Sequence, residues 1–274
     1  MVIDFGFDVH SVNAYSRFVT DSMSGPGVIA RAGLLLRAVS AAEPAGASTT
    51  ELASAAGLAR PTVHRLLTAL NEQGLVDRDR KTGRWNLGPE LYLLGAAAAN
   101  RYDIVDQARD LVAVLAQESG ESAFLSARRG DETVCVYAEE GSFPLRSHVL
   151  HVGVRFPLGV ASAGLAILSH LTEREVDDFF ARQSPHTRWG TEHSESRIRE
   201  RIAATRSTGY AVNPALLVEG SWGMGAAVFD RYGQPAWALS VTGVETRFRA
   251  DRRPVLGQLL LAQAHRLSVR LRQH

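Results

Sequence analysis

The chain has 274 residues, 45% apolar and 22% charged, with a formal net charge of +1. That is an ordinary globular profile with room for two domains, and it excludes disordered and collagen-like classes. A single cysteine, Cys135, rules out an intramolecular disulfide and a cysteine-ligated metal site and suits a reducing, cytoplasmic setting. No apolar run reaches the ~18 residues of a membrane span, and an N-terminus holding Asp4 and Asp8 does not read as a signal peptide.

Residues 1–26 lack periodicity and end in Ser22, Ser24, Gly25 and Pro26, which reads as a mobile tail. From Val28 to Ser40, Ile29, Ala32, Leu35, Leu36 and Val39 recur at helical spacing. Ala41 to Ala47, with Pro44 and Gly46, is a loop. Ser48-Thr49-Thr50-Glu51 is a capping box that opens a short helix ended by Gly57. The next helix starts at Arg60, with Pro61 in its first turn and Gly74 at its stop. Its apolar stripe is Val63, Leu66, Leu67 and Leu70, and its polar face carries Thr62, His64, Arg65 and Thr68. Two short helices about a glycine-containing turn make a helix-turn-helix. Leu75 to Asp77 and Arg84 to Leu87 then read as strands flanking a basic hairpin tip, a wing. Residues 27–88 carry eight Lys/Arg against five Asp/Glu, whereas residues 89–274 carry 21 of each, so the positive excess sits with these helices.

Pro89 to Asn100 is a helix apolar nearly all round, which requires a cover; a second subunit would supply it. We therefore divide the chain into a tail (1–26), a winged helix-turn-helix (27–88), a linker helix (89–101) and a C-terminal domain (102–274). In that last segment Ile104, Ala108, Leu111, Val112 and Leu115 mark a helix stopping by Gly120, and Ser122 to Ala127 and Glu132 to Ala138 are strands. Leu145 to Val149 reads as a further strand. Ala163–Leu171, Glu173–Arg182 and Ser194–Ser207 are helices; Gly225–Asp230 and Pro235–Thr242 form a hairpin; Asp251–Arg272 is a closing helix. The class is α+β with an antiparallel sheet.

Thr62-Val63-His64-Arg65-Leu66-Leu67, Asn86-Leu87-Gly88-Pro89, Phe156-Pro157-Leu158, Gly209-Tyr210-Ala211-Val212-Asn213, Ala227-Val228-Phe229-Asp230 and Ala238-Leu239-Ser240-Val241 occur in an order and spacing that resembles the IclR family of bacterial transcription regulators. Family-like sequence begins only near Val28, which makes Met23 a second candidate start. The resemblance implies a DNA-binding regulator with a GAF-like C-terminal domain, whose hold on double-stranded operator DNA is modulated by a small organic acid. It also implies homodimers, commonly paired into tetramers, and no cofactor.

A recognition helix meets base edges with its N-terminal residues. Arg60, Thr62 and His64 are therefore the expected readers, with Arg65 and Thr68 near phosphate or base, and Arg80, Lys81 and Arg84 of the wing near the backbone or minor groove. For the effector, the residues matching the family's pocket are Ser162 and Ala163 at a helix N-terminus, then Asn213, Gly223, Ser240 and Thr242. Free N–H groups and the helix dipole would hold a carboxylate. Where the family often has histidine, lysine, aspartate and cysteine, this chain has Gly159, Leu165, Asn213 and Gly223, which implies a roomier, less negative pocket and an aromatic carboxylate.

Two rival readings differ in class. Val160-Ala161-Ser162-Ala163-Gly164 is one residue short of a hydrolase nucleophile elbow at Ser162, yet no downstream Asp and His stand in a recognisable context. A metabolite-sensing module acting through protein partners would use the helix-turn-helix only to dimerise, which its bare polar face and basic wing oppose. His148 and His151 lack a third metal ligand nearby, and nucleotide-binding signatures are absent.

Overall fold

The computed structural model describes residues 27–99, 104–147 and 149–273; the expected tail, 1–26, lies outside them. The chain divides into two compact units, residues 1–102 and 103–274.

In the first unit, α1 (Val28–Ala41), α2 (Thr49–Ala56) and α3 (Arg60–Glu72) pack about Leu35, Val39, Leu52, Val63, Leu67 and Trp85. Each such side chain, taken fully from water, contributes roughly 1.5–3 kcal/mol. The capping box forms as read: Ser48 Oγ accepts from Glu51 N at 3.2 Å, and Ser48 N donates to Glu51 Oε2 at 2.6 Å. Gly57, at φ 63°, closes α2 in the left-handed region, a conformation glycine adopts without steric cost. Strands β1 (Val76–Arg78) and β2 (Trp85–Leu87) pair antiparallel, with Val76 opposite Leu87. Each starts one residue later than the pattern predicts. At β1 this is because Leu75 N still bonds the Leu70 carbonyl of α3. Helix α4 (Pro89–Ala99) follows, leaving Tyr92, Leu93 and Leu94 more than half exposed.

The second unit is a six-stranded antiparallel sheet with helices on both faces. Its strands are β3 (Ser122–Arg129), β4 (Glu132–Glu139), β5 (Arg155–Pro157), β6 (Ala211–Pro214), β7 (Ser221–Phe229) and β8 (Pro235–Val244), in spatial order β5-β4-β3-β8-β7-β6. Because side chains alternate across a strand, Leu125, Met224, Ala226, Val228, Leu239 and Val241 face α5 (Ile104–Ser119) and α10 (Arg253–Gln273). The other face carries smaller residues, among them Gly225, Ala227 and Ala238. It is covered by α6 (Ser162–Ser169), which packs with α7 (Glu173–Arg182) and α9 (Glu195–Thr208). A four-residue helix, α8 (His186–Trp189), precedes α9.

Two expectations need correction, and some elements are not anticipated at all. The described residues of 145–149 are irregular and not a strand, because the position beside β4 is taken by β5, with Glu132 opposite Pro157 and Val134 opposite Arg155. The sequence pattern does not anticipate strand β6 or helix α8, and β7 begins at Ser221, four residues before the expected Gly225.

Candidate functional site

Two regions carry polar groups the fold leaves available, one in each unit. On α3, Val63, Leu67 and Leu70 are buried, while Pro61, His64, Arg65 and Thr68, at i, i+3, i+4 and i+7, are exposed on the opposite face. Arg60 is exposed at the first helical residue, and Thr62 is half-buried at the flank. Thr68 spends its hydroxyl proton locally, on the His64 carbonyl at 2.9 Å.

At the wing tip Asp79 Oδ1 accepts from Lys81 N, Thr82 N and Thr82 Oγ1 at 2.9, 2.7 and 2.9 Å, a local turn. The Thr82 backbone N–H, ahead of the other donors, holds that carboxyl below the usual range. Arg80, within the turn, and Lys81, whose backbone N–H closes it, are left with exposed side chains. Arg84 departs from its expected role. Its guanidinium donates to the Gly46 carbonyl at 3.0 Å and pairs with Glu51 Oε2 at 3.0 Å, so it ties the wing to α2 and does not project outward.

In the second unit a small cavity lies on the sheet face beneath the start of α6. One end is formed by Ser162, Ala163, Asn213, Gly223 and Thr242, five of the six residues expected to bind an effector. Gly223 and Gly225 let the helix sit this low: a Cβ on Gly223 would lie 3.1 Å from Ser162 Oγ, and one on Gly225 would lie 2.9 Å from the Ser162 carbonyl carbon. The N-cap residue, Ala161, offers the helix no side-chain acceptor. Thr242 Oγ1 is buried without a hydrogen-bond partner, an arrangement that calls for one. The sixth residue, Ser240, shares that orphaned state but is fully buried under the helix and outside the lining.

Asn213 lines the cavity with a side chain already engaged: Nδ2 donates to the Val160 carbonyl at 2.7 Å, and Oδ1 accepts from Leu216 N at 3.2 Å. It fixes the lead-in to α6. Gly159 and Leu165 do not reach the cavity. A Cβ on Gly159 would meet Ile198 Cγ2 at 2.9 Å, and Leu165 packs into the core with Ile198 and Ile202. Of the four departures from the family pattern, only Gly223 adds room. The cavity is about 30 Å³, space for one or two waters.

Sequence reasoning missed the opposite end of the cavity: Ser126 on β3 with Thr133 and Cys135 on β4, under an apolar wall of Val149, Leu150, Val154, Phe156 and Leu217. The available signal was a set of small polar residues at inward positions of a hairpin. Burial pushes the Cys135 thiol up to about 12, so the reactive thiolate is scarce near neutral pH. We expect no reaction of the folded protein with a thiol-specific chromogenic reagent at pH 8, and one equivalent of reaction after unfolding in urea. Rapid native labelling would show the cavity to be open.

Ser162 is the first helical residue of α6, five positions beyond the end of β5. It is therefore not the sharp strand-to-helix corner of a hydrolase nucleophile. His148, of the histidine pair, lies outside the described residues. No helix among the described residues is long and apolar enough to cross a membrane.

The model of the IclR helix-turn-helix domain matches residues 28–80, and that of the bacterial transcriptional regulator IclR C-terminal matches residues 96–269. The chain is 32% identical over 237 residues to the HTH-type transcriptional regulator Rv1719 of Mycobacterium tuberculosis, covering 86% of this chain and 89% of the relative. It is 27% identical over 222 residues to the transcriptional repressor IclR of Escherichia coli, covering 80% and 81%. Among solved structures, an IclR homolog from Microbacterium hydrocarbonoxydans complexed with 4-hydroxybenzoate has a TM-score of 0.72 at 19% identity, over 90% of this chain and 100% of that one. That likeness bears on the fold alone. The named relatives are transcriptional regulators, which are not enzymes. With a family model spanning most of its length and a winged helix-turn-helix at its head, this DNA-binding chain belongs to the IclR family of bacterial transcriptional regulators.

Proposed function

We propose that this regulator binds a roughly palindromic operator as a homo-oligomer in the cytoplasm and that a small organic acid in the C-terminal cavity modulates that binding. The observation that carries the effector reading is the orphaned Thr242 hydroxyl beside the uncapped start of α6. Amide N–H groups and a helix dipole worth about half a charge favour a carboxylate there. The Microbacterium hydrocarbonoxydans homolog is complexed with 4-hydroxybenzoate, which supports an aromatic acid. At 30 Å³, the cavity admits one only when Leu150, Leu217 and their loops swing outward.

Arg60, His64 and Arg65 read the major groove, Thr62 and Thr68 border it, and Arg80 and Lys81 hold the phosphate backbone. Tyr92, Leu93 and Leu94 on α4 and Val28 and Ile29 on α1, all more than half exposed, offer an apolar surface for a second subunit; dimers then pair into tetramers. Coupling is reciprocal: an acid that weakens operator binding itself binds more weakly to the DNA-bound protein.

The test is a mobility shift of the purified protein on its own upstream intergenic DNA, over a salt series and a panel of aliphatic and aromatic acids. A specific, salt-sensitive shift altered by an aromatic acid is expected. A panel in which only glyoxylate or pyruvate raised the melting temperature would sink the aromatic reading, and absence of any specific shift from folded protein would favour a sensor acting through protein partners.

A further inference from the structure

His193 is fully buried, at the end of a one-turn 3₁₀ helix (Thr191–His193) that precedes α9. Its ring lies between two backbone carbonyls: Nδ1 is 2.9 Å from that of Trp189, and Nε2 is 3.4 Å from that of Val160. A carbonyl only accepts, and a neutral imidazole has one N–H to give. The shorter contact takes the proton, so Nδ1 donates to Trp189 and the Nε2 lone pair faces the Val160 oxygen. That oxygen is satisfied without the ring, since Asn213 Nδ2 donates to it at 2.7 Å.

The ring thereby ties two layers of one wall. Trp189, the last residue of α8, packs on Val154, Phe156, Val160 and Ala161, edge to face with the Phe156 ring at 5.4 Å. Val154, Phe156 and Ala161 line the cavity, and Val160 leads into α6. One hydrogen bond from His193 therefore holds the outer layer, α8, against the inner layer that sets where α6 starts.

Charging the ring in place is opposed. Burial first, and then Arg201 of α9, keep its pKa below the usual value, against the pull of the two carbonyls and of Glu192 on its own turn. Arg201 is fixed there with Nη2 at 3.5 Å from the Gly159 carbonyl and Nε buried without a partner. On α8 the Arg188 guanidinium lies 5.2 Å over the Trp189 ring, and residues 157–169 and 211–214 contain no ionisable side chain. An imidazolium would thus be a buried charge facing a cation, a state that proteins escape by moving the group to water.

We propose that His193 is a proton-sensitive latch on the cavity wall: the neutral ring pins α8 against the lead-in to α6, and the protonated ring leaves its place and frees both. The folded-state pKa lies below the ordinary value of 6.5. The neutral ring's contribution is therefore complete above that value and is lost as the pH falls through it toward the folded one. The consequence for a bound acid rests on the effector-site reading above: its hold weakens as the start of α6 loosens.

The test is hydrogen exchange of the full-length protein at pH 7.5 and 5.5, corrected for the intrinsic rate and read on peptides covering 157–169 and 186–194. Both segments should be protected at pH 7.5 and lose protection at pH 5.5. His193→Asn cannot titrate, and its Nδ2 stands where Nδ1 does; it should keep protection at both pH values, an outcome a merely structural role would not produce. Comparing it with the wild type also removes the titration of His151 and His170, which burial likewise holds low. His193→Gln, whose amide reaches the place of Nε2, leaves the Trp189 carbonyl unpaired; it should lack protection at either pH and melt roughly 2–10 °C lower. Benzoate, ionised throughout this range, should bind the wild type more weakly at pH 5.5 and the Asn variant equally at both. Wild-type protection that is independent of pH, that rises at pH 5.5, or that falls equally in the Asn variant overturns the latch. Benzoate that binds neither protein counts against the effector reading alone, because the exchange decides the latch.

Discussion

Replacing Arg65 by alanine is expected to weaken operator binding roughly 5- to 150-fold at fixed salt and to relax base preference at the position it reads, the loss usual for one Arg-to-base contact. Arg65 lies on the exposed face of α3, opposite Val63, Leu67 and Leu70. Its guanidinium has no hydrogen-bond or ion-pair partner among the described residues, so its removal costs the fold little. Two other cations separate the possible roles. Lys81, exposed at the wing tip, is a phosphate contact; Lys81→Ala should lower affinity for specific and unrelated DNA alike and reduce the slope of log affinity against log salt by about one. Arg84 is committed to Gly46 and Glu51, so Arg84→Ala should lower the unfolding midpoint of the N-terminal unit and leave base preference unchanged. Fluorescence anisotropy over a salt series, on operator and scrambled duplexes, measures the affinities and base preferences, and thermal unfolding of Arg84→Ala measures the midpoint. Wild-type affinity and selectivity in Arg65→Ala would take the recognition role away from this face of α3.

How much of this was legible beforehand depends on how local the determining physics is. The helix-turn-helix was, because every signal sits within a few residues of its effect. Ser48 reaches Glu51 three positions on, Gly57 terminates its own helix, and the stripe Val63, Leu67, Leu70 is set by helical period alone. The hairpin of β3 and β4 was legible for the same reason, through the turn at Gly130. Strand β5 was not. It is three residues long and exists because Glu132 to Val134 offer it a sheet edge from more than twenty positions away; Leu145 to Val149, the more strand-like run, finds that edge occupied. The cavity was half legible. Ser162, Ala163, Asn213, Gly223 and Thr242 follow from the family resemblance, whereas Ser126, Thr133 and Cys135 join them only through a sheet register that brings β3 and β4 under the loop of Val149 and Leu150. Arg84 shows the converse limit, since its charge was read correctly and its direction was not.

The largest loss of stability is expected at Glu121, a residue that no motif singles out. Its side chain is 1% exposed and accepts from Arg247 Nε and Arg252 Nη1, each at 2.8 Å. Arg252 also donates to the Arg247 and Ser119 carbonyls, so one carboxylate joins the start of β3, the turn after β8 and the approach to α10. Removing an acceptor from such a cluster leaves two guanidinium groups poorly paired. Because Arg247 and Arg252 keep 31% and 21% side-chain exposure, water recovers part of the loss, and Glu121→Ala should cost about 3 kcal/mol, the low end for broken buried pairs. The carboxylate also fills the space over Gly243, where an added Cβ would lie 2.3 Å from Glu121 Oε2 and 3.0 Å from Phe248 Cε2. Gly243→Ala should therefore cost about 1–3 kcal/mol through overpacking against a carboxylate that its arginines hold in place. In the double variant the offending oxygen is gone, so the two losses should not add; a coupling of about 1–2 kcal/mol is expected. Urea unfolding of the four proteins, followed by a probe of the C-terminal unit such as Trp222, measures it. Strict additivity would show that Gly243 is required for its backbone alone and that the carboxylate does not occupy the space above it.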